Sequence, residues 1–321
     1  MLDRSPVSIT PAKLYAFHLK LRPISEGTLM PFSGELVHAA WLDWLRAAAP
    51  DISDWLHEKN KRRFFTCSSL QLPFSPARML EAERNNTHMP LTPEKTCTIR
   101  VTLLLGELFP LFYKALTDFK STSASGGSKP PFIRLGKQFL LLEEVVLEDD
   151  DTGGWTGFTS FATMIEQVQA RKMGRVEPLK FEFASLTTFN RGNANGKEYG
   201  NFSALLPLPY YIFPYLAKRW QELAPPDLAH LVQRESIEQY IHDEGVIIAD
   251  YDLKPHSVRF TTHRQQGFIG TCKYHLRGPD DPPTGESPLT ARQQIMLLGQ
   301  LAFYSGVGYK TAMGMGRTRM V

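Results

Sequence analysis

Cysteine is scarce in this sequence, and the three that occur are far apart. They lie at Cys67, Cys97 and Cys272 of a 321-residue chain. An odd number at such separations predicts neither a disulfide framework nor a zinc site. No apolar run approaches the roughly 20 residues of a membrane-spanning helix, and the N-terminus has no signal-peptide pattern. These absences predict a reduced, soluble, cytoplasmic protein with no metal, no cofactor and no membrane partner.

Net charge is also nearly absent. The chain has 36 lysines and arginines against 33 acidic residues, a formal net charge of +3. A charge this small creates no overall field that attracts nucleic acid, so any basic surface must be local. Basic residues do cluster at residues 59–63, which include Arg62 and Arg63, at residues 171–175 and near the C-terminus. From residue 287 to the C-terminus there is no acidic residue.

The C-terminal segment, residues 304–321 (YSGVGYKTAMGMGRTRMV), combines glycines with basic residues. Glycine allows positive φ and lets backbone N–H groups come close to an anion. Lysine and arginine supply the charge that binds phosphate. The segment therefore predicts a phosphate-bearing partner; the alternative, a glycine-rich hairpin that closes a sheet, leaves the missing acidic residues unexplained. The candidate binding residues are Gly306, Gly308, Lys310, Thr311, Gly314, Gly316, Arg317 and Arg319.

Two familiar catalytic motifs are incomplete in this chain. A nucleotide-binding P-loop needs glycine directly before its lysine and a helix after it, but Tyr309 intervenes, and Gly314 and Gly316 fall where that helix would run. His57 and Glu58 lack the second histidine of a metalloprotease HExxH motif. The sequence thus excludes a P-loop nucleotidase and a zinc protease of these types.

The order of predicted elements repeats along the chain. Each half gives β-α-β-β-α-β, the ferredoxin-like unit, so we predict an α+β fold of two tandem ferredoxin-like domains, residues 1–155 and 156–321, with a central cleft. The first half has strands at 13–21, 63–70, 97–105 and 132–147 and helices at 33–49 and 107–119. The second has helices at 158–172, 209–222, 226–242 and 288–304 and strands at 179–189, 245–253, 258–263, 267–276 and 315–320.

Several segments, set on that double fold, resemble the CRISPR-associated repeat-processing endoribonucleases, the family called Cas six. The most specific is the glycine-rich GVGYKTAMGMG followed by a final strand. Weaker matches occur in both halves of the chain. They are SGELVHAAWL (33–42), WLHEKNKRRFFTCSSL (55–70), SLTTF (185–189), LPLPYYIFPYLAKRW (206–220) and GFIG (267–270).

The resemblance implies an endoribonuclease that binds precursor CRISPR RNA and cuts once in each repeat without a metal ion. The ribose 2′-OH would attack the adjacent phosphate and leave a 2′,3′-cyclic phosphate and a 5′-OH. Two alternatives remain open: a non-cleaving subunit that holds processed guide RNA in a CRISPR effector complex, and an unrelated binder of phosphorylated ligands. Subunits of such a complex and a second copy of the chain are the other partners considered.

The resemblance also indicates which histidine acts. His38 matches the family's catalytic histidine, and His57 is the second candidate. Histidine suits proton transfer because its pKa lies near neutrality. Some members place a tyrosine upstream of the histidine, but residues 22–37 contain none, so the second catalytic residue stays open among Tyr15, Arg22 and residues 59–63.

RNA contact is expected from the C-terminal segment, Arg62 and Arg63. The glycine-rich residues would bind backbone phosphates from across the cleft, opposite His38. The basic residues between 259 and 277 predict either contact with an RNA stem or an ordinary solvated strand face.

Overall fold

The first half of the chain is an antiparallel sheet covered by helices. The computed structural model describes residues 13–48, 50–57, 64–121, 132–148, 153–191, 202–278 and 287–321. The strands of this half are β1 (Lys13–Pro23), β2 (Gly27–Leu29), β3 (Phe65–Cys67), β4 (Met89–Leu91), β5 (Cys97–Leu103), β6 (Phe132–Leu135), β7 (Gln138–Val146) and β8 (Gly157–Ser160). Its helices are α1 (Gly34–Ala48), α2 (Pro50–His57), α3 (Pro76–Asn85) and α4 (Leu108–Ser121).

The second half has a four-stranded sheet and four α-helices in the described ranges. Its helices are α5 (Phe161–Ala170), α6 (Pro209–Leu223), α7 (Arg234–His242) and α8 (Ala291–Ser305). Its strands are β9 (Val176–Thr187), the short pair β10 (Asn190–Arg191) and β11 (Phe202–Ser203), β12 (Val246–Arg259), β13 (Arg264–Arg277) and β14 (Thr318–Met320). Within the described ranges, no helix is long and apolar enough to cross a membrane.

The two sheets share one strand order. The first runs β3-β5-β1-β7, with β6 added beyond β7, and the second runs β12-β13-β9-β14. Numbered within each unit, both orders are 2-3-1-4, the arrangement of a ferredoxin-like sheet. The two-domain α+β architecture is therefore confirmed.

Aromatic residues at the predicted periodicities fill a core in each half. In the first half, Phe17 of β1 stacks on Phe112 of α4 with ring centres 4.9 Å apart, and Trp41 of α1 packs on the same ring at 5.0 Å. In the second, Phe161 meets Trp220 edge to face at 5.2 Å. Complete burial of one such side chain is worth about 1.5–3 kcal/mol, so these contacts help to fix how α1 lies on its sheet.

The helix predicted at residues 158–172 begins later than expected. Residues 157–160 form β8, which pairs with β1 in the first sheet. The helix α5 starts at Phe161, because Ser160 caps it: the Ser160 hydroxyl accepts a hydrogen bond from the Thr163 N–H at 3.1 Å. β8 thus joins the first sheet although it follows residue 155; the division at residues 155 and 156 stays a prediction.

The predicted strands at residues 245–276 merge into one hairpin. β12 and β13 have 14 residues each. They pair from Val246, opposite Leu276, to Arg259, opposite Arg264. The helix α3 was missed, although Ser75 and Pro76 give it an ordinary start: the Ser75 hydroxyl accepts from the Arg78 N–H at 3.4 Å. The pair β2–β4 was also missed, because strands of three residues carry little periodicity.

Candidate active site

Glycine conformation determines the path of the C-terminal segment after α8. Gly306, Gly308, Gly314 and Gly316 all have positive φ, between +63° and +91°, where a side chain is strained. All four are also buried. A Cβ added at Gly308 would overlap the Thr188 carbonyl oxygen. Residues 306–316, here called the glycine-rich loop, therefore fold against the protein itself.

Backbone N–H groups of the glycine-rich loop bind carbonyl groups of both halves. Their acceptors lie in or near β3 of the first sheet and β9 of the second, so the loop joins the two. The bonds are Tyr309 N to Thr188 O at 2.9 Å, Gly314 N to Cys67 O at 2.9 Å and Gly316 N to Leu186 O at 2.8 Å. A phosphate would meet the side chains around the loop rather than these three N–H groups.

His38 contacts the glycine-rich loop directly. Its Nδ1 lies 3.0 Å from the carbonyl oxygen of Ala312, its ring stacks on Phe65 with centres 5.5 Å apart, and 7% of the residue is exposed. The expectation that the loop lies across the cleft from His38 is wrong. The two meet because Gly34 has no side chain: a Cβ there would overlap the Met313 carbonyl oxygen.

The hydrogen bond to Ala312 defines the tautomer of His38. A carbonyl oxygen can only accept, so Nδ1 carries the proton and, in the neutral ring, Nε2 carries the lone pair. Stacking on Phe65 also constrains the orientation of the ring. The side chain is thus held by two contacts, one of them to the glycine-rich loop.

The tip of the β12–β13 hairpin, residues 260–263, also reaches the first turn of α1. Glu35 Oε2 accepts hydrogen bonds from Thr261, from N at 2.7 Å and from Oγ1 at 2.8 Å. Lys310 of the glycine-rich loop places Nζ 3.3 Å from His263 Nε2 and 3.6 Å from the centre of the Phe260 ring. Sequence reasoning missed Glu35, Phe260 and Thr261, because only the tertiary fold brings the tip to α1.

Lys310 is a cation held partly out of water. It has φ of +57°, a left-handed conformation unusual for a residue other than glycine. Burial lowers the pKa of its ammonium below the usual value, and the charge of Glu35 opposes that shift. A partly desolvated cation attracts an anion more strongly than one in bulk water.

The indole ring of Trp155 is surrounded by three arginines, Arg100, Arg317 and Arg319. The guanidinium carbons of Arg317, Arg319 and Arg100 lie 4.7, 4.3 and 5.4 Å from the Trp155 ring centre. Arg319 Nε donates to Glu182 at 2.7 Å. Burial is the main cause that lowers the pKa of Arg100 to about 9 and of Arg317 to about 10. Both values keep the guanidinium charged at neutral pH, so the cluster carries more positive than negative charge.

The remaining candidate residues lie in several places. His57 ends α2, and Arg62 and Arg63 lie outside the described residues. Thr311 begins a 3-10 helix, Thr311–Met313, within the glycine-rich loop. In the described part of the chain, no three His, Cys, Asp or Glu residues group in a way that could hold a metal ion.

Two of the open candidates for a second catalytic residue have partners of their own, and the third, residues 59–63, lies outside the described residues. Tyr15 stacks on Phe109 with ring centres 4.5 Å apart. Arg22 pairs with Glu143 and donates to the Pro93 carbonyl at 3.1 Å. Both side chains therefore have contacts of their own, and the second catalytic residue stays a prediction.

Two family models match the chain in tandem. The CRISPR Cas6 N-terminal domain matches residues 14–165, and the CRISPR-associated endoribonuclease Cas6 matches residues 176–318. Together they take in nearly all the described elements, including α1 with His38 and the whole glycine-rich loop. No curated protein was found to match the chain significantly.

Solved structures of similar fold carry the same family name. The Cas6 (TTHB231) product complex is 24% identical, with a TM-score of 0.69 over 97% of this chain and 100% of that one. The Cas6 (TTHA0078) product complex is 21% identical, with a TM-score of 0.62 over 96% and 99%. A structure of Thermus thermophilus Cas6 (TTHB231) is 23% identical, with a TM-score of 0.59 over 97% and 99%. Fold and family models agree: the chain belongs to the Cas6 family of CRISPR-associated endoribonucleases, which act in CRISPR RNA processing.

Proposed function

We propose that this protein cuts CRISPR repeat RNA by attack of a ribose 2′-OH on the adjacent phosphate, with His38 as a proton-transfer residue. The observation that carries the proposal is the hydrogen bond from His38 Nδ1 to Ala312 O, which joins the histidine to the glycine-rich loop. Family membership supplies the reaction class.

The proposed reaction needs three contributions from the protein. A base takes the 2′-OH proton as the 2′-oxygen bonds to phosphorus, and an acid protonates the 5′-oxygen as the P–O5′ bond breaks. Positive charge stabilises the extra negative charge on the phosphorane. His38 serves one of the proton transfers, and Lys310 of the glycine-rich loop, with its partly desolvated ammonium, supplies positive charge. The products are a 2′,3′-cyclic phosphate and a 5′-OH, and the RNA supplies its own nucleophile.

Repeat RNA as the partner is supported by the structures of similar fold. Two of these structures are Cas6 product complexes, and a third is a Cas6 (TTHA0078) substrate mimic complex, 20% identical with a TM-score of 0.56. Two partly exposed residues, Lys310 and Arg319, give this chain local positive charge in place of a charged surface overall. Such local charge suits a polyanion.

Labelled repeat RNA incubated with the protein in EDTA tests the proposal. We expect one cut per repeat and a cyclic phosphate on the 5′ fragment, identified by its mass. RNA with a single 2′-deoxyribose at the cut position should bind but remain intact, because the nucleophile is gone. Binding without any cut would instead support the non-cleaving subunit, and a requirement for added metal would contradict the mechanism.

His38→Ala should lower the cleavage rate about 10²–10⁴-fold, the range for a lost acid–base group. Because His38 is buried, His38→Asn is the sharper variant: an amide can still donate to Ala312 but cannot titrate. His242, whose side chain is 83% exposed, supplies the control His242→Ala. If His38→Asn melts like the wild type and cuts at the wild-type rate, the assignment of His38 is wrong.

A further inference from the structure

A cavity of about 360 Å³ opens between the two halves, beside the glycine-rich loop. We call it the cleft pocket. Ser69, Gln71 and Phe74 line it from the first half, and Leu186, Val258 and Arg317 from the second. Its size falls in the range of about 300–1,000 Å³ that is usual for sites of small organic groups.

Three residues that line the cleft pocket carry polar atoms that the protein leaves unused. Ser69 Oγ, Gln71 Nε2 and Arg317 Nε are each buried, and none has a hydrogen-bond partner among the described residues. Only one end of the Gln71 amide is hydrogen-bonded: its Oε1 accepts a hydrogen bond from Thr98 Oγ1 at 3.3 Å. A buried polar atom without a partner is costly, and three of them on one pocket indicate a ligand with several hydrogen-bonding groups.

Much of the remaining lining is apolar. Phe74, Leu186 and Val258 are among the side chains that could cover the faces of a flat ring. An aromatic heterocycle with acceptors and donors on its edge fits such a lining, and nucleobases have that character. A base pair within a helix would be too large to enter, whereas proteins read RNA sequence mainly on unpaired bases that are turned out of the stack.

The position of the cleft pocket favours a base that belongs to the RNA substrate. Gly314 lines the pocket and lies two residues beyond Ala312, which holds His38. A strand whose phosphate reaches His38 would therefore pass the mouth of the pocket with a neighbouring nucleotide. Arg317 adds a positive charge beside it.

We propose that the cleft pocket receives one unpaired nucleobase of the RNA substrate, with Ser69 and Gln71 bonding its edge and Arg317 donating to the same nucleotide. This inference rests on the proposed function, since it names how that substrate is recognised. It makes Ser69 and Gln71 determinants of specificity rather than catalytic residues.

The test is a scan of repeat RNAs in which one nucleotide at a time is made abasic. For the wild type, we expect one unpaired position near the cut at which base removal weakens binding about 5–150-fold, the effect of losing one stacked base. In Gln71→Leu the same removal should have a clearly smaller effect, because the edge of the base has lost a hydrogen bond while the apolar lining can still stack on it. Gln266→Leu, at an exposed position of β13, should behave like the wild type.

Further arms of the test separate the alternatives. Ser69→Ala should also reduce the dependence on that base, which keeps the inference testable if Gln71→Leu does not fold. If the wild type cuts RNA but no position shows this coupling, the pocket inference is overturned while the proposed function stands. If nucleoside monophosphates bind to the pocket and removal of any single base changes nothing, the occupant is a free nucleotide and the inference is also overturned. If the wild type cuts no repeat RNA, the proposed function fails first.

Discussion

The glycine-rich loop and the tip of the β12–β13 hairpin both contact the first turn of α1, but by different means. The loop uses backbone atoms: the Ala312 carbonyl binds His38, and the Met313 carbonyl lies against Gly34. The hairpin tip uses an exposed contact, in which Thr261 donates to the Glu35 carboxylate.

Because of this difference, the contact made by the loop is rigid, whereas the contact made by the hairpin tip can adjust. Backbone contacts between buried glycines leave no room for an added atom, so the loop can hold His38 in only one place. Side chains at an exposed turn can move by rotation about their single bonds, so the hairpin tip can adapt when RNA arrives. We therefore expect damage to the loop to act mainly through stability, and damage to the tip to act mainly through the environment of Lys310.

Gly308→Ala should give the largest effect. The residue has φ of +91°, and its Cβ would overlap the Thr188 carbonyl oxygen. Strain at such a φ costs roughly 1–3 kcal/mol, and forced overpacking adds about as much. Urea unfolding should therefore show a large loss of stability, together with weaker RNA binding.

Gly278→Ala is the matched control for that prediction. Gly278 has a similar φ of +109°, but a Cβ there would meet no atom within 4 Å. Gly278→Ala should therefore lose only the stability that backbone strain costs, without the cost of overpacking. Equal losses in the two variants would break the comparison, because close packing of the loop would then contribute nothing.

Much of this arrangement could be predicted from the sequence, and the rest could not for definite reasons. Periodicity predicted the repeated α+β unit, and composition singled out the glycine-rich loop. The contact between His38 and Ala312 joins residues 274 positions apart, and local pattern carries no information on such a pair. The arginine cluster shows the same limit: Arg100 alternates within a strand like any solvated residue, yet is 3% exposed.

Glu35→Ala should have a smaller effect than Gly308→Ala. It removes an acceptor of two hydrogen bonds from Thr261, and a bond to a charged group is worth about 1.5–3 kcal/mol when buried. Partial exposure of Glu35 reduces this, so we expect a loss of about 1 kcal/mol. Thr261→Ala should lose about half as much, since its backbone N–H still donates.

Glu166→Ala, at an exposed helix position, is the control for that change and should leave stability unaltered. A double-mutant cycle between Glu35→Ala and Thr261→Ala measures the coupling. Fully additive losses would mean that the carboxylate does not hold the hairpin tip in solution.

The smallest predicted effect is a pH dependence at Lys310, the loop residue that packs on Phe260 and His263 of the hairpin tip. Burial lowers the pKa of this ammonium in the folded protein, so on raising the pH the folded state releases the proton before the unfolded state does. Between the two pKa values the unfolded chain binds more protons, and stability rises with pH. The stability of the wild type relative to Lys310→Met should therefore increase as the pH approaches about 10.5, near the unperturbed lysine value. In a Glu35→Ala background the increase should be larger and begin at lower pH, because the carboxylate that opposes the shift is gone. A difference that stays constant with pH, in both backgrounds, would show that Lys310 is as well solvated as any surface lysine, and the hairpin tip would then have no part in tuning its charge.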